Sequence, residues 1–175
     1  MKMKIFFLFC FFQLTFISCK DDSTSCQDGA TSWTNGHCYE AVLAPGLSWQ
    51  AAKTACEAKG GYLVTITSAK ENTFVFSLVS GNNAFWFLDG FGNGLGPWLG
   101  GYQQPGSQPD EGWKWVTGEP FDYTNWDVDQ PGDMIGVDQN VLRFFKAGGL
   151  IGDHWDDCEP DNPIEHRLGY ICEYD

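Results

Sequence analysis

The spacing of the cysteines constrains the fold of this chain more than any other feature of its sequence. There are seven, and no two of them are separated by only two residues, the spacing that is typical of zinc-binding or redox pairs. They are Cys10, Cys19, Cys26, Cys38, Cys56, Cys158 and Cys172. In an oxidising compartment, such a set indicates a disulfide framework rather than a metal cluster.

The first 18 residues indicate that the chain is exported. Lys2 and Lys4 form a short basic head, and the following run Ile5–Ile17 is almost wholly apolar. That run is too short to cross a bilayer comfortably and has the shape of the hydrophobic core of a signal peptide. We therefore expect residues 1–18 to be a signal peptide and the mature chain to be extracellular.

Two alternatives stay open at Cys19. The stretch Phe16–Cys19 resembles a bacterial lipobox, and Lys20–Asp22 resembles the acidic tag that follows the lipidated cysteine in some surface lipoproteins. On that interpretation Cys19 is the acylated N-terminus and holds the protein at the cell surface. On the other, cleavage falls at or just after Cys19 and the protein is freely secreted. Residues 19–25 are then a short linker, and one domain covers 26–175.

The charge balance narrows the classes of partner. Loss of Lys2 and Lys4 with the signal peptide lowers the number of Lys and Arg residues from 10 to 8, against 23 Asp and Glu residues. So acidic a chain is a poor partner for nucleic acid or for an anionic membrane surface. It is compatible with Ca²⁺, which prefers carboxylate and carbonyl oxygens. Acidity can equally serve only to keep a secreted protein soluble.

Helical periodicity appears in only two places. Ser48 is a candidate N-cap for a helix that ends at Gly60. Ser68 and Glu71 form a capping-box pattern for a second helix that ends at Gly81. The remaining chain has the pattern of short strands joined by long loops, and the predicted strands cover 61–66, 97–102, 113–116, 140–145 and 169–173. Two helices followed by several short strands predict an α+β domain with functional loops.

The order of these segments resembles the C-type lectin-like domain in its long form, over about residues 26–175. The matching segments follow one another in the family's order: Cys26–Tyr39, Trp49–Cys56, Gly61–Ile66, Pro97–Gly101, Trp113–Trp115, Tyr123–Trp126, Trp155–Asp157 and Gly169–Glu173. The resemblance implies a fold of two helices with small antiparallel sheets and a long loop region.

The resemblance also implies two disulfides, Cys26–Cys38 and Cys56–Cys172. The family's other common bridge lacks its first cysteine, because Asn140 stands at that position. Cys158 follows the Trp155–Asp157 motif more closely than the usual partner does, and we expect it to be unpaired. It is then either a buried thiol or an intermolecular link.

Sugar-binding members of the family hold one Ca²⁺ in their loops, and the ion also binds two sugar hydroxyls. Its ligands there are a Glu-Pro-Asn or Gln-Pro-Asp triplet with a cis proline, a downstream acid and an Asn-Asp pair. Here the triplet is replaced by Gln130–Gly132. The resemblance implies that the residues that bind both the metal and the carbohydrate are Gln130, Asp138, Asp156 and Asp157.

Gly132 departs from this pattern, because it offers no side-chain oxygen where the family has Asn or Asp. Asp133 is a candidate replacement if the loop is shifted by one residue. The expected function is recognition of a glycan or glycoprotein through a loop-held Ca²⁺. The alternative is a calcium-independent module that binds protein or another surface ligand with the same loops. Gly132 favours the alternative, and the retained acids favour calcium.

Aromatic residues fall into two sets. One set stands at positions that form the core in the family, and we expect it to pack internally: Trp98, Trp113, Trp115, Trp126 and Trp155. The other set either covers the second helix or forms an exposed patch: Phe85, Trp86, Phe87 and Phe91. No catalytic motif of the Gly-x-Ser-x-Gly, His-Glu-x-x-His or phosphate-loop type occurs in the sequence, so we expect a binding protein rather than an enzyme.

Overall fold

The computed structural model describes residues 26–132, 137–161, 166 and 168–175. The predicted signal peptide over 1–18, the linker with Cys19, and the candidate ligand Asp133 lie outside these residues. No helix in the described ranges is long and apolar enough to cross a membrane.

Both predicted helices are confirmed, α1 over Trp49–Ala58 and α2 over Ala69–Ser80. Each begins after a serine whose Oγ accepts a hydrogen bond from a backbone N–H of the first turn, from Ala51 to Ser48 and from Glu71 to Ser68, both at 3.3 Å. The capping box of α2 is only half formed. The carboxylate of Glu71 accepts hydrogen bonds from the backbone N–H and the hydroxyl of Thr67, at 2.8 and 2.9 Å, rather than from Ser68.

Nine strands lie in the described ranges. They are β1 (Thr31–Ser32), β2 (Cys38–Leu43), β3 (Tyr62–Leu63), β4 (Phe87–Leu88), β5 (Gly94–Tyr102), β6 (Lys114–Trp115), β7 (Val141–Lys146), β8 (His154–Cys158) and β9 (Gly169–Tyr174). Their order across the sheet is β1-β2-β9-β5-β7-β8, with β3 beside β9, and with β4 and β6 beside β5.

The sheet differs in one respect from the small antiparallel sheets that the family resemblance implies. Strands β5 and β9 pair in parallel, with Trp98 opposite Tyr170, and this pairing joins the two halves into one mixed sheet. All other strand pairs are antiparallel. Strand β8 is missing from the sequence-based prediction, because Asp156 and Asp157 interrupt its apolar pattern.

Two disulfides fasten the fold, and both are the pairs that the family resemblance implies. Cys56–Cys172 ties α1 to β9, and Cys26–Cys38 ties the N-terminal segment to β2. Cys158 is the free cysteine of the described residues, and its side chain is buried. Of the two alternatives for Cys158, the structure therefore favours a buried thiol over an intermolecular link.

The hydrophobic core places strand β8 against helix α2. Trp155, at the centre of the core, has no solvent exposure. Its indole N–H donates to Asn72 Oδ1 at 2.8 Å, and Asn72 Nδ2 donates to the carbonyl oxygen of Asp153 at 3.0 Å. The buried helix residue thus fixes the start of β8, from which the two aspartates of the predicted calcium site project. The five tryptophans expected in the core are buried or packed against it.

Candidate functional site

A polar segment, residues 125–132, runs beside β8 and carries the first of the predicted ligands. It is held by backbone hydrogen bonds in both directions, from Trp155 N to Asn125 O and from Asp127 N to Trp155 O, each at 2.9 Å. The carboxylate of Asp127 reaches further and accepts a hydrogen bond from the backbone N–H of Ala147 at 2.9 Å. The segment therefore has a fixed position relative to the end of the sheet.

Gln130 and Asp157 flank one turn at the end of this segment. The peptide bond between Gln130 and Pro131 is cis, as in the triplet of the family. The backbone N–H of Gly132 donates to Asp157 Oδ1 at 2.9 Å. The side-chain oxygen Oε1 of Gln130 is buried and accepts no hydrogen bond from the described residues. The structure thus brings two of the four predicted ligands to the same turn.

Asp156 is engaged with a residue that the family resemblance does not indicate. Successive side chains of a strand point to opposite faces, so Asp156 and Asp157 leave β8 in opposite directions. Asp156 Oδ2 accepts two hydrogen bonds from Arg143 on β7, from Nε at 2.9 Å and from Nη2 at 2.6 Å. Both side chains are buried. Burial raises the pKa of Asp156, and the positive charge of Arg143 opposes that effect.

Asp138 is exposed and bonded to a different loop. Its Oδ2 accepts a hydrogen bond from the backbone N–H of Gly106 at 2.9 Å. This contact ties the start of the segment before β7 to the loop that follows β5. Asp138 therefore holds two loops together.

The structure does not bring the four predicted ligands together as a metal site. No group of three or more His, Cys, Asp or Glu side chains within the described ranges is placed to hold a metal ion. The physical reason lies in Arg143, which already neutralises Asp156 and would repel a divalent cation at that carboxylate. The described residues therefore do not assemble the calcium site that the resemblance implies. Asp133, the candidate replacement ligand, is not among the described residues.

Arg143 is the functional candidate that the sequence analysis misses, although the sequence carries a signal for it. It is the single charged residue inside the apolar run Val141–Phe145 of β7. A charged side chain in a buried strand needs a partner of opposite charge, because an isolated charge is costly to bury. The register of β7 with β8 supplies that partner by placing Arg143 opposite Asp156.

A cavity of about 490 Å³ opens beside this ion pair. Strands β7 and β8 line one side of it with Arg143, Phe145 and Asp156, and the turn at Gln130 lines another. The third side is the loop between β4 and β5, which carries Phe91. We refer to this space, which His166 and Glu159 also line, as the Arg143 cavity.

The loop over residues 89–93 is ordered by its own aspartate. Asp89 Oδ1 accepts hydrogen bonds from the backbone N–H groups of Phe91 and Asn93, both at 2.8 Å. Burial acts to raise the pKa of Asp89, but the hydrogen bonds from Asn93 and Phe91 together lower it. The loop presents the ring of Phe91 to solvent, with 91% of the residue exposed. Phe85 and Trp86 are buried instead, so this aromatic set is divided between core and surface.

Comparison with known proteins identifies a family to which this chain is similar. The family model described as "Lectin C-type domain" matches residues 46–140. Regenerating islet-derived protein 3-alpha of Mus musculus is 36% identical over 154 residues, which are 86% of this chain and 78% of that protein. C-type mannose receptor 2 of Homo sapiens is 30% identical over 136 residues, 78% of this chain, and the chain spans 8% of the length of that receptor.

Solved structures show the same fold. The carbohydrate-recognition domain of the mouse scavenger receptor C-type lectin superposes with a TM-score of 0.63 at 24% identity, over 86% of this chain and 96% of that one. A calcium-independent type II antifreeze protein superposes with a TM-score of 0.60 at 23% identity, over 85% of this chain and 93% of that one. The family model covers more than half of the sequence, and the order of helices and strands agrees with it, so this chain belongs to the C-type lectin domain family.

Proposed function

We propose that this chain is a carbohydrate-binding module that recognises its glycan without a loop-held calcium ion. The observation that carries this proposal is the buried pair of Arg143 and Asp156, with Nε and Nη2 both bonded to one carboxylate oxygen. The guanidinium of Arg143 thus neutralises Asp156, which stands at a position where sugar-binding members of the family have a calcium ligand. The module is expected to act by binding, since its sequence has no recognisable catalytic motif.

The shape and lining of the Arg143 cavity support a small polar ligand over a protein surface. Small-molecule sites are concave and combine apolar walls with a few fixed polar groups, whereas a stable protein interface needs a broad surface of about 800 Å² per partner. The cavity has apolar walls from Leu95 and Phe145 and polar groups from Gln130 and Arg143. A glycan matches this mixture, because a sugar ring has hydroxyl groups at its edge and C–H groups on its faces.

The fold itself leaves the choice of calcium open. One structural neighbour is a calcium-independent antifreeze protein, and another is described as a Ca²⁺-dependent one. The choice therefore depends on the residues of this chain. Asp156 accepts a hydrogen bond from Arg143, Asp138 from Gly106 and Asp157 from Gly132. Because each of these acids is bonded to a different part of the protein, their arrangement supports binding without calcium.

A glycan array probed with labelled protein, once in Ca²⁺ and once in EDTA, tests this proposal. We expect the same glycans to bind in both buffers and the melting temperature to be equal in both. Asp138→Asn is the matched variant, because it keeps an oxygen for the hydrogen bond from Gly106 and removes the charge that a calcium site needs. It should bind as the wild type does.

Two other outcomes would count against the proposal, each in a different way. Binding that EDTA abolishes, Ca²⁺ restores and Asp138→Asn weakens would establish the calcium-bridged mechanism instead. An array without any bound glycan in either buffer would remove carbohydrate recognition and favour a protein or another surface ligand.

We also propose that the chain is exported and works outside the cytosol. The two disulfides support this, because such bonds persist in oxidising compartments. Intact-mass measurement of the mature protein, with its fractionation between membrane and medium, distinguishes the two forms. An acylated N-terminal Cys19 in the membrane fraction means a lipoprotein, and an unmodified chain in the medium means a secreted one. A protein that retains residues 1–18 in the cytosol would contradict export.

A further inference from the structure

We propose that Glu71, Tyr39 and Glu173 form a buried site for one proton, and that this proton makes the attachment of helix α2 to the sheet sensitive to pH. The three side chains come from three elements, α2, β2 and β9, which meet in the interior of the protein. None of the three residues lines the Arg143 cavity, so the proton site is separate from the candidate ligand site.

The hydroxyl of Tyr39 lies between two carboxylates but has a single proton to donate. Its oxygen is 2.7 Å from Glu71 Oε1 and 3.0 Å from Glu173 Oε1. Asn35 Nδ2 donates to the same oxygen at 2.7 Å and therefore gives no proton to either carboxylate. If both acids are ionised, one of the two carboxylates faces the phenol oxygen without a proton between them. One additional proton completes the chain, because one acid then donates to Tyr39 while Tyr39 donates to the other.

Both carboxylates are buried without a permanent positive charge beside them. Glu71 is 3% exposed and Glu173 is 2% exposed, and neither forms an ion pair with Lys or Arg in the described part of the chain. Two buried carboxylates at one hydroxyl repel each other, and such a pair therefore retains one proton. Burial raises the pKa of Glu173, and hydrogen bonds from His37 and Thr65 oppose that rise. The negative charge of Glu71 adds to it.

His37 connects this buried site with water. Its side chain is one-third exposed and lines an open cleft of about 360 Å³ together with Tyr62, Glu119 and Asp175. Nδ1 of the ring lies 2.7 Å from Glu173 Oε1, and Nε2 lies 3.7 Å from Asp175 Oδ1. A histidine with one nitrogen at a buried acid and the other at a cleft can carry protons between them. With His37 protonated and one proton shared, the two buried acids are fully compensated.

The proton site holds the start of α2 in place. Glu71 Oε2 accepts hydrogen bonds from the backbone N–H and the hydroxyl of Thr67, which precedes the helix. Glu173 Oε2 accepts one from the backbone N–H of Thr65 at 2.9 Å. The shared proton therefore bonds the first turn of α2 to β2 and β9 through Tyr39. When the proton leaves, two negative charges repel each other across Tyr39, and the helix is held less firmly.

The sign of the pH dependence follows from the proton that the folded protein retains. The unfolded chain releases it near the ordinary pKa of glutamate, 4.5, whereas the folded pair releases it at a higher pH. The stabilisation is therefore fully present below that ordinary value and is lost as the pH rises through the pKa of the folded pair.

A pH titration of the mature wild-type protein, followed by NMR with ¹³C-labelled glutamate side chains, detects the proton. We expect one ionisation of the pair to fall above the ordinary glutamate value of 4.5, and the carboxyl carbons of both Glu71 and Glu173 to respond to it. Ionisation of both groups at or below 4.5 would overturn the proposal.

Glu71→Gln tests the attachment of the helix. Its amide oxygen still accepts from Thr67, and its N–H group replaces the shared proton by a permanent donor to Tyr39. The melting temperature of the variant relative to the wild type should rise by about 3 °C or more between about pH 5 and about pH 8.

Glu40→Gln is the matched control, because it is the same change at a glutamate of β2 that is paired with Lys59 at 2.8 Å. It should lower the melting temperature equally at both pH values. A Glu71→Gln variant that is destabilised equally at both pH values would contradict a shared proton. If this variant fails to fold, the titration of the wild type decides alone.

Discussion

Arg143 and Asp156 face each other across strands β7 and β8, with Nε and Nη2 of the guanidinium at 2.9 and 2.6 Å from a single carboxylate oxygen. The pair is buried, and it lies at one of the positions that the family resemblance assigns to a calcium ligand. A charge pair inside the protein stabilises it only while both partners are present, because each charge was removed from water at a cost. This dependence gives the first prediction.

Arg143→Met alone should destabilise the protein by about 3–5 kcal/mol, since it leaves a buried carboxylate without its cation. Arg143→Met combined with Asp156→Leu should recover most of that loss, because apolar side chains of similar volume replace both charges. Urea unfolding of the wild type, both single variants and the double variant measures the coupling between the two positions. Additive losses would mean that the pair is not coupled in the folded protein.

The pH dependence of stability should depend on His37. Its Nδ1 lies 2.7 Å from Glu173 Oε1, and this hydrogen bond raises the pKa of His37 above the ordinary value of 6.5, while burial opposes it. When folding raises the pKa of a base, its protonated form stabilises the folded protein. This stabilisation is fully present below the pKa of the base in the unfolded state, and it is lost as the pH rises through its pKa in the folded state. His37 should therefore stabilise the fold at about pH 6 and contribute less at about pH 8.5.

His37→Asn measures this contribution against the wild type at both pH values. We expect the difference in unfolding free energy between the two proteins to be larger at the lower pH. Glu173 keeps its other hydrogen bonds in the variant, from the backbone N–H of Thr65 at 2.9 Å and from the hydroxyl of Tyr39 at 3.0 Å. A difference that stays constant or grows with rising pH would contradict the charged pair.

The features that the sequence predicts correctly are those encoded within a few residues. Ser48 and Ser68 are recognisable as N-caps because the cap and the first turn are neighbours in the chain. The cis bond before Pro131 lies at the position of the family's cis proline, although Gly132 departs from the family's triplet. The tryptophans of the core are placed by the same local motifs.

The features that the sequence does not reveal depend on pairing between distant segments. The bond between Arg143 and Asp156 exists because β7 and β8 pair in one register, and a shift by one residue would turn Arg143 away from Asp156. Asp138 likewise meets Gly106 across two loops that are 32 residues apart. Family positions indicate which residue types stand near the site, but the contacts of those residues follow from this non-local packing.

The two disulfides should differ in their contribution to stability. The Cys56–Cys172 bond spans 116 residues and the Cys26–Cys38 bond spans 12. In a chain-entropy model, closing these loops in the unfolded state stabilises by about 5 and about 3 kcal/mol respectively. Unfolding of Cys56→Ala/Cys172→Ala and of Cys26→Ala/Cys38→Ala measures both values. A smaller loss for the longer loop would show that interactions other than loop entropy dominate.

Cys158 should be unreactive in the folded protein. Only 2% of the residue is exposed, and burial raises the pKa of its thiol, although nearby Arg143 opposes that effect. The thiolate is the reactive form of cysteine. Burial slows the reaction of Cys158 with a thiol reagent in two ways, because the raised pKa lowers the fraction of thiolate and the surrounding protein blocks access. In a chain that starts after Cys19, a thiol reagent should detect no thiol under native conditions and one in guanidinium without reductant. The control variant Cys158→Ala should show no reactive thiol either under native conditions or in guanidinium. Rapid reaction of the native protein, or a covalent dimer on a non-reducing gel, would show that Cys158 is accessible after all.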